Sequence, residues 1–202
     1  MVPTGVQIGG GVKTGSVYRI TQQGALTSTG NKLDVAISGR GYFQVLMPGG
    51  ETAYTRAGNF SPNDQGQLVT EDGYLVQPAI TIPQDATDIS ISKSGQVQAV
   101  RTGQTTPEVI GNLELATFVN EAGLDAIGDN LLLESAASGA PTVGTPGTEG
   151  IGGLNQGYTE ASNVDAVTEI TALIVAQRAY EMNSKVITSA DEMLRTTSNL
   201  RS

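Results

Sequence analysis

Residues 162–200 read SNVDAVTEITALIVAQRAYEMNSKVITSADEMLRTTSNL, a long run with neither proline nor glycine. Within it Leu173, Ala176, Tyr180, Asn183, Ile187, Ala190 and Leu194 follow one another by steps of three and four in strict alternation, with Ile170 one turn ahead. This spacing predicts one long helix carrying a heptad seam of the kind that packs against another helix. Ser162 or Asn163 is expected to cap its start. Asp165 and Glu169 fall near the positive end of the helix dipole, and Arg195 and Arg201 near the negative end. Apolar stripes more often lie on the helix's own domain. Here the remainder of the chain offers no second helix, so Ile170 and the seven seam positions are read as an assembly interface.

Upstream, the pattern changes to short alternating segments divided by turns. Leu33, Val35 and Ile37 alternate before Ser38-Gly39, and Tyr42–Met47 ends at Pro48-Gly49-Gly50. Thr52–Arg56 and Phe60 precede the turn 62–66. Glu71-Asp72-Gly73, between Gln67–Thr70 and Tyr74–Val76, reads as a hairpin. Ile80 and Ile82, Ile89 and Ile91, then Val97 and Val100 continue the pattern, with Ser94-Gly95 as a further turn. Leu113–Val119 is the most apolar strand, and Val12–Ile20 alternates loosely. Residues 139–157 are rich in Gly, Pro, Thr and Ser without periodicity, which predicts a linker or long surface loop. The expected fold is mainly β: an antiparallel barrel or sandwich-like body over 1–138, a Gly/Pro-rich linker and return segment over 139–161, and a coiled-coil-type assembly helix over 162–202.

Composition narrows the chemistry. The chain has no Cys and no His, which removes disulfides, thiolate and imidazole metal ligands, and every His-based catalytic arrangement. A net charge of −9 without basic clusters disfavours nucleic acid and anionic membrane surfaces. No apolar run approaches membrane-spanning length, and the first eleven residues contain no signal-peptide core. Gly9-Gly10-Gly11-Val12-Lys13-Thr14 fails as a phosphate loop, because Val12 separates the lysine from the glycines and a strand follows. Asn63-Asp64 before Gly66 lacks calcium-loop spacing and reads as a turn. Glu71-Asp72 sits on a turn that points to solvent. Asp34 is expected to be exposed or bonded to a nearby turn. Arg56 is either a packed ion-pair partner or an anion site, the structural role being favoured. No catalytic residue, cofactor or metal site is expected. A secreted β-rich adhesin or binding module, or a polysaccharide-acting enzyme with carboxylates across a groove, would share the composition but not the heptad tail.

Several long motifs then occur in order. Ala36-Ile37-Ser38-Gly39-Arg40-Gly41-Tyr42-Phe43-Gln44-Val45 and Ala53-Tyr54-Thr55-Arg56-Ala57-Gly58-Asn59-Phe60 resemble the shared core of the bacterial flagellar rod and hook proteins. Gly66–Thr70 through Gly73-Tyr74, Ile80-Thr81-Ile82-Pro83 and Gly123-Leu124 to Ile127-Gly128-Asp129-Asn130-Leu131 continue the likeness. Gln156–Val164 followed by Gln177–Lys185 is similar to the signature tail of these axial proteins. The resemblance spans essentially the whole chain and falls on the distal rod branch, with the proximal rod or hook subunits as alternatives. It implies a subunit that self-assembles into a helical tubular shaft carrying torque from motor to hook across the periplasm. The terminal helices would line the tube, with the β body outside. Its partners would be other copies, neighbouring rod and hook subunits and the surrounding P and L ring proteins. Export would use the flagellar secretion system without a cleaved signal peptide. Family members begin with a helix bearing a motif of the Ala-Asn-Asn-Leu-Ala-Asn type. This chain carries none, so the resemblance implies a fragment lacking that helix.

Overall fold

The computed structural model describes residues 19–104 and 106–199. The readings made for residues 12–18, the glycine run 9–11 and Arg201 therefore lie outside the described residues. The chain divides into two compact units, one ending at Glu160 and the other beginning at Ala161.

The first unit is built of strands. In chain order these are β1 (Leu26–Ser28), β2 (Val35–Ser38), β3 (Phe43–Leu46), β4 (Thr52–Thr55), β5 (Phe60–Pro62) and β6 (Leu68–Thr70). There follow β7 (Leu75–Gln77), β8 (Ala86–Ile91), β9 (Gln96–Arg101), β10 (Glu108–Asn112) and β11 (Leu115–Thr117). After a 3-10 turn at Glu121–Gly123 come β12 (Asp125–Gly128), β13 (Leu131–Leu133), β14 (Thr142–Gly144), β15 (Gly153–Gln156) and β16 (Tyr158–Glu160). Seven strands form one sheet in the order β12-β13-β4-β3-β7-β6-β5, and β10-β9-β8 form a second. Three two-stranded ribbons, β15-β2, β11-β14 and β1-β16, complete the unit. The pairings are antiparallel. Among the described residues the strands close no barrel, so the body is sandwich-like.

Local chemistry explains the hairpins. At Pro48-Gly49-Gly50 the Met47 N–H donates to the Glu51 carbonyl, and Gly50 donates back to Met47. At Glu71-Asp72-Gly73 the Gly73 N–H donates to Thr70. Period-two alternation then decides which side chains turn inward: Phe43 and Val45 from β3, Val97 and Ala99 from β9. They join Ile37, Ile80, Leu113, Leu115 and Leu154 in the main core. A smaller cluster of Tyr42, Tyr54, Ala116, Phe118 and Leu124 adjoins β4 and β11, with Tyr54 edge-on to Phe118 at 4.8 Å between ring centroids.

Two expectations are corrected here. The segment read as a linker holds β14, β15 and β16. Leu154 enters the core, and β15 pairs with β2 along its whole length. Three- and four-residue strands in which Leu154 is the one buried side chain leave no periodicity to read. The apolar strand at 113–119 is also shorter than its sequence: β11 stops at Thr117, and Val119 is 91% exposed.

The second unit is a single helix, α1 (Ala166–Asn199). At 1.5 Å per residue it is about 50 Å long. Asp165, not Ser162 or Asn163, caps it. Its Oδ1 accepts the Val167 N–H at 3.1 Å and its Oδ2 the Thr168 hydroxyl at 2.6 Å. Ser162 instead accepts from Val164, one turn too early. The Thr168 hydroxyl, followed by the Val167 amide, holds the Asp165 carboxyl below its ordinary range, so the cap carries full negative charge at the positive end of the helix dipole.

Candidate assembly surface

The seven positions from Leu173 to Leu194 sit where their spacing puts them, on one face of α1, whereas Ile170 lies about 110° around the axis from the centre of that seam. Ile170, Leu173, Ala176, Tyr180, Asn183 and Ile187 are exposed, as is Leu194, while Ala190 is half-buried. Leu173 and Tyr180 expose 67% and 76% of their surface. Side chains of this kind stay in water only until something covers them.

A second seam was legible in the sequence and is absent from the reading above. Val175, Ala179, Met182, Val186, Ser189 and Met193 step by four and three in the same alternation. Projected on the helix, this set lies about 100° around the axis from the first. Val175, Met182, Val186 and Met193 are all exposed. The opposite side carries Gln177, Arg178, Glu181, Ser184, Lys185, Thr188, Asp191, Glu192 and Arg195, with the apolar Val167, Ile170 and Ile174 confined to its N-terminal turns. The apolar arc is thus about twice the width of one coiled-coil stripe, which is more than a single partner helix covers.

The other residues singled out by sequence settle into structural roles. Asn63 Oδ1 accepts the N–H groups of Gln65 and Gln67, both at 2.9 Å, which makes the 62–66 segment a side-chain-stapled turn. Asp34 is buried, its carboxylate taking hydrogen bonds from the Thr29 hydroxyl and the Asn31 amide, so of its two expected placements the bonded one holds. Glu71, Asp72 and Asp129 border a polar groove with Thr55, Asn59 and Glu160. Among the described residues, no three carboxylates converge closely enough to hold a metal ion. Arg56 is an ion-pair partner: its guanidinium meets Glu160 at 2.8 Å, with both side chains largely buried.

Two stretches of the chain match known protein families. Residues 36–99 match the family described as the flagellar hook protein FlgE/F/G D1 domain. Residues 155–200, which include all of α1, match the flagellar basal body rod FlgEFG protein C-terminal family. The chain is 70% identical over its full length to the flagellar basal-body rod protein FlgG of Caulobacter vibrioides, covering 77% of that relative. It is 46% identical to the FlgG of Bacillus subtilis, over 96% of this chain and 75% of the relative. The FlgF rod protein of Caulobacter vibrioides is 37% identical, over 89% of this chain and 69% of the relative. Identity to FlgG thus exceeds identity to FlgF even when the FlgG comes from a distant bacterium. This chain belongs to the FlgG family of flagellar basal-body rod proteins.

Proposed function

We propose that the chain is a structural subunit of the distal part of the flagellar rod, self-assembling into a helical tube that transmits torque from motor to hook. The observation that carries this reading is α1 with its two adjacent apolar seams. A helix whose apolar arc needs at least two neighbours is suited to a tube wall, where each helix has one on either side, better than to a pairwise coiled coil. The β unit has its own closed core and supplies an outer layer with polar faces. The reading asks the molecule for contacts and assigns it no catalytic step, cofactor or metal. Its neighbours are further copies of itself, adjoining rod and hook subunits, and the P and L ring proteins around the shaft. It reaches them through the flagellar secretion system.

The test is basal-body purification from cells whose chromosomal copy carries Leu173→Gln with Ile187→Gln, or Val175→Gln with Val186→Gln. Each pair is expected to leave the subunit stable and exported while the rod stops short and the cells fail to swim. Full-length rods and normal swimming with both pairs would remove the assembly role of α1.

A further inference from the structure

Arg56 was left between two roles by the sequence, and its surroundings give it more than the common part of an ion-pair partner. Its Nε donates to Glu160 Oε2 at 2.9 Å, and one terminal nitrogen lies 2.8 Å from the same oxygen. The other end of the fork is fully used as well. One terminal nitrogen donates to the carbonyls of Gly39 and Gly41 at 3.2 and 3.0 Å, and the second also reaches Gly39. The remaining carboxylate oxygen of Glu160, Oε1, accepts the Gly24 N–H at 3.0 Å. The guanidinium carbon stands 5.8 Å from the centroid of the Tyr42 ring. One planar cation therefore joins four passages of chain: residue 24, the bend after β2, the end of β4 and the end of β16. Of the four ion pairs among the described residues it is the most enclosed, with side-chain exposures of 20% and 12%.

Its position in the chain gives this arrangement a consequence. Glu160 is the last residue of the β unit, and Ala161 begins the unit that contains α1. The covalent path from α1 into the β unit runs through the peptide that follows Glu160. The backbone bonds there are few: among the described residues β16 pairs with β1 alone, over three residues, Leu26↔Glu160 to Ser28↔Tyr158. Upstream, Gly157 donates to the Asp34 carbonyl at 2.7 Å. A two-stranded ribbon of this length is marginal alone. A forked, charge-assisted set of bonds at its Glu160 end is much stronger, and only arginine supplies the fork.

We propose that Arg56 is the clamp that fixes the exit strand β16 to the sheet, so that force arriving from the helix is passed to β4 and the β2–β3 bend instead of peeling the β1–β16 ribbon. The clamp stands on the geometry above; its mechanical use rests on the rod reading, and the experiment separates the two. Amide hydrogen exchange on the purified chain compares Arg56→Gln and Arg56→Lys with Lys32→Gln, which breaks the exposed Lys32–Asp88 pair. Both Arg56 variants should exchange about tenfold faster at residues 24–28 and 158–160, while β8 and β9 stay at wild-type rates. Lys32→Gln should change neither region. Unchanged exchange at 158–160, or an equal rise across β8 and β9, overturns the clamp. Arg56→Lys keeps the charge and loses the fork, so it carries the test if Arg56→Gln does not fold. The same variants placed in cells should build rods that fail when swimming is loaded in viscous medium. A loosened ribbon with undiminished rotation under load overturns the mechanical role and leaves the local clamp in place.

Discussion

Gly58 is where the β unit tolerates a side chain least, and Gly58→Ala is the sharpest test of the packing. A Cβ built there falls inside the envelope of the Val35 carbonyl oxygen, 2.8 Å from its carbon and 3.3 Å from Phe43 Cε2. Relief requires the backbone at 58 to retreat by more than about 1 Å, because the overlap with the carbonyl oxygen is the limiting one. That retreat acts directly on the bond from the Val35 N–H to the Gly58 carbonyl, 2.9 Å long, at a residue with no exposed surface. Leaving those groups unpaired costs about 1–3 kcal/mol. Pushing on Phe43, which is wholly buried and edge-on to Phe60, adds an overpacking cost of about 1–3 kcal/mol. Together these give about 2–6 kcal/mol, a large part of a typical domain stability. Two other glycines calibrate the scale. Gly73 has φ +86° and open space around it, so Gly73→Ala meets only left-handed strain of about 1–2 kcal/mol. Gly49 has open space and no such φ, so Gly49→Ala should stay within about 0.5 kcal/mol of wild type. Urea titration followed by tyrosine fluorescence suits a chain with six Tyr and no Trp. The Gly58→Ala midpoint should drop by roughly 1–3 M at a urea slope of about 2 kcal/mol/M. A Gly58→Ala midpoint equal to that of Gly49→Ala would refute the close-approach argument.

Leu154→Ala should cost about 2–5 kcal/mol in the same titration, because the side chain is buried in the main core; a neutral result would restore the linker reading of 139–161. The Tyr42 phenol is pushed up to about 12, chiefly by burial and next by the Glu121 carboxylate, which its hydroxyl reaches at 3.4 Å. Below pH 10 the phenol is neutral whether the chain is folded or not, so this contribution is complete. Between pH 10 and about 12 the unfolded chain loses the proton first and binds fewer protons than the folded one. Stability should fall there by about 1–2 kcal/mol. Tyr42→Phe should flatten that part of the pH–stability curve, and an identical slope in both proteins would contradict the assignment.

How far the sequence was legible depended on the distance over which each contact acts. The hairpins β3–β4 and β6–β7 were readable because alternation and turn chemistry lie within a few residues of each other: Phe43 and Val45 point inward, and Gly50 and Gly73 close the turns. The strand β15 was not, because its partner β2 is more than a hundred residues away and only Leu154 marks the inward face. Arg56 was ambiguous for the same reason, its carboxylate partner lying 104 residues downstream. The helix cap was misplaced by a short distance, since Ser162, Asn163 and Asp165 are all competent caps and only backbone geometry selects among them. The second seam on α1 was missed for another reason. Two heptad patterns share one helix, and the seam of Leu173, Ile187 and Leu194 masks the adjacent one of Val175, Met182, Val186 and Met193.

The two seams have different consequences from one, and magnitudes show why. The first seam offers four large side chains, Leu173, Tyr180, Ile187 and Leu194, all exposed. At about 1.5–3 kcal/mol for each large apolar side chain fully buried, covering them yields about 6–12 kcal/mol. Association costs about 4–15 kcal/mol in lost freedom, before any side chain is ordered. A helix with one such seam therefore comes close to breaking even, and its dimers are weak. Val175, Met182, Val186 and Met193 in the second seam add a comparable gain, while a subunit that docks between two neighbours loses its rigid-body freedom only once. Addition is then favourable at a growing end that presents both neighbours and poor elsewhere, which lets a subunit travel unpaired and still polymerise in place. The two glutamine pairs distinguish this from simple dimerisation. Under two-neighbour docking, disabling either seam alone stops rod growth, and disabling both is no worse. Were a single pairing sufficient, Val175→Gln with Val186→Gln would leave rods of normal length, and the second seam would have no part in assembly.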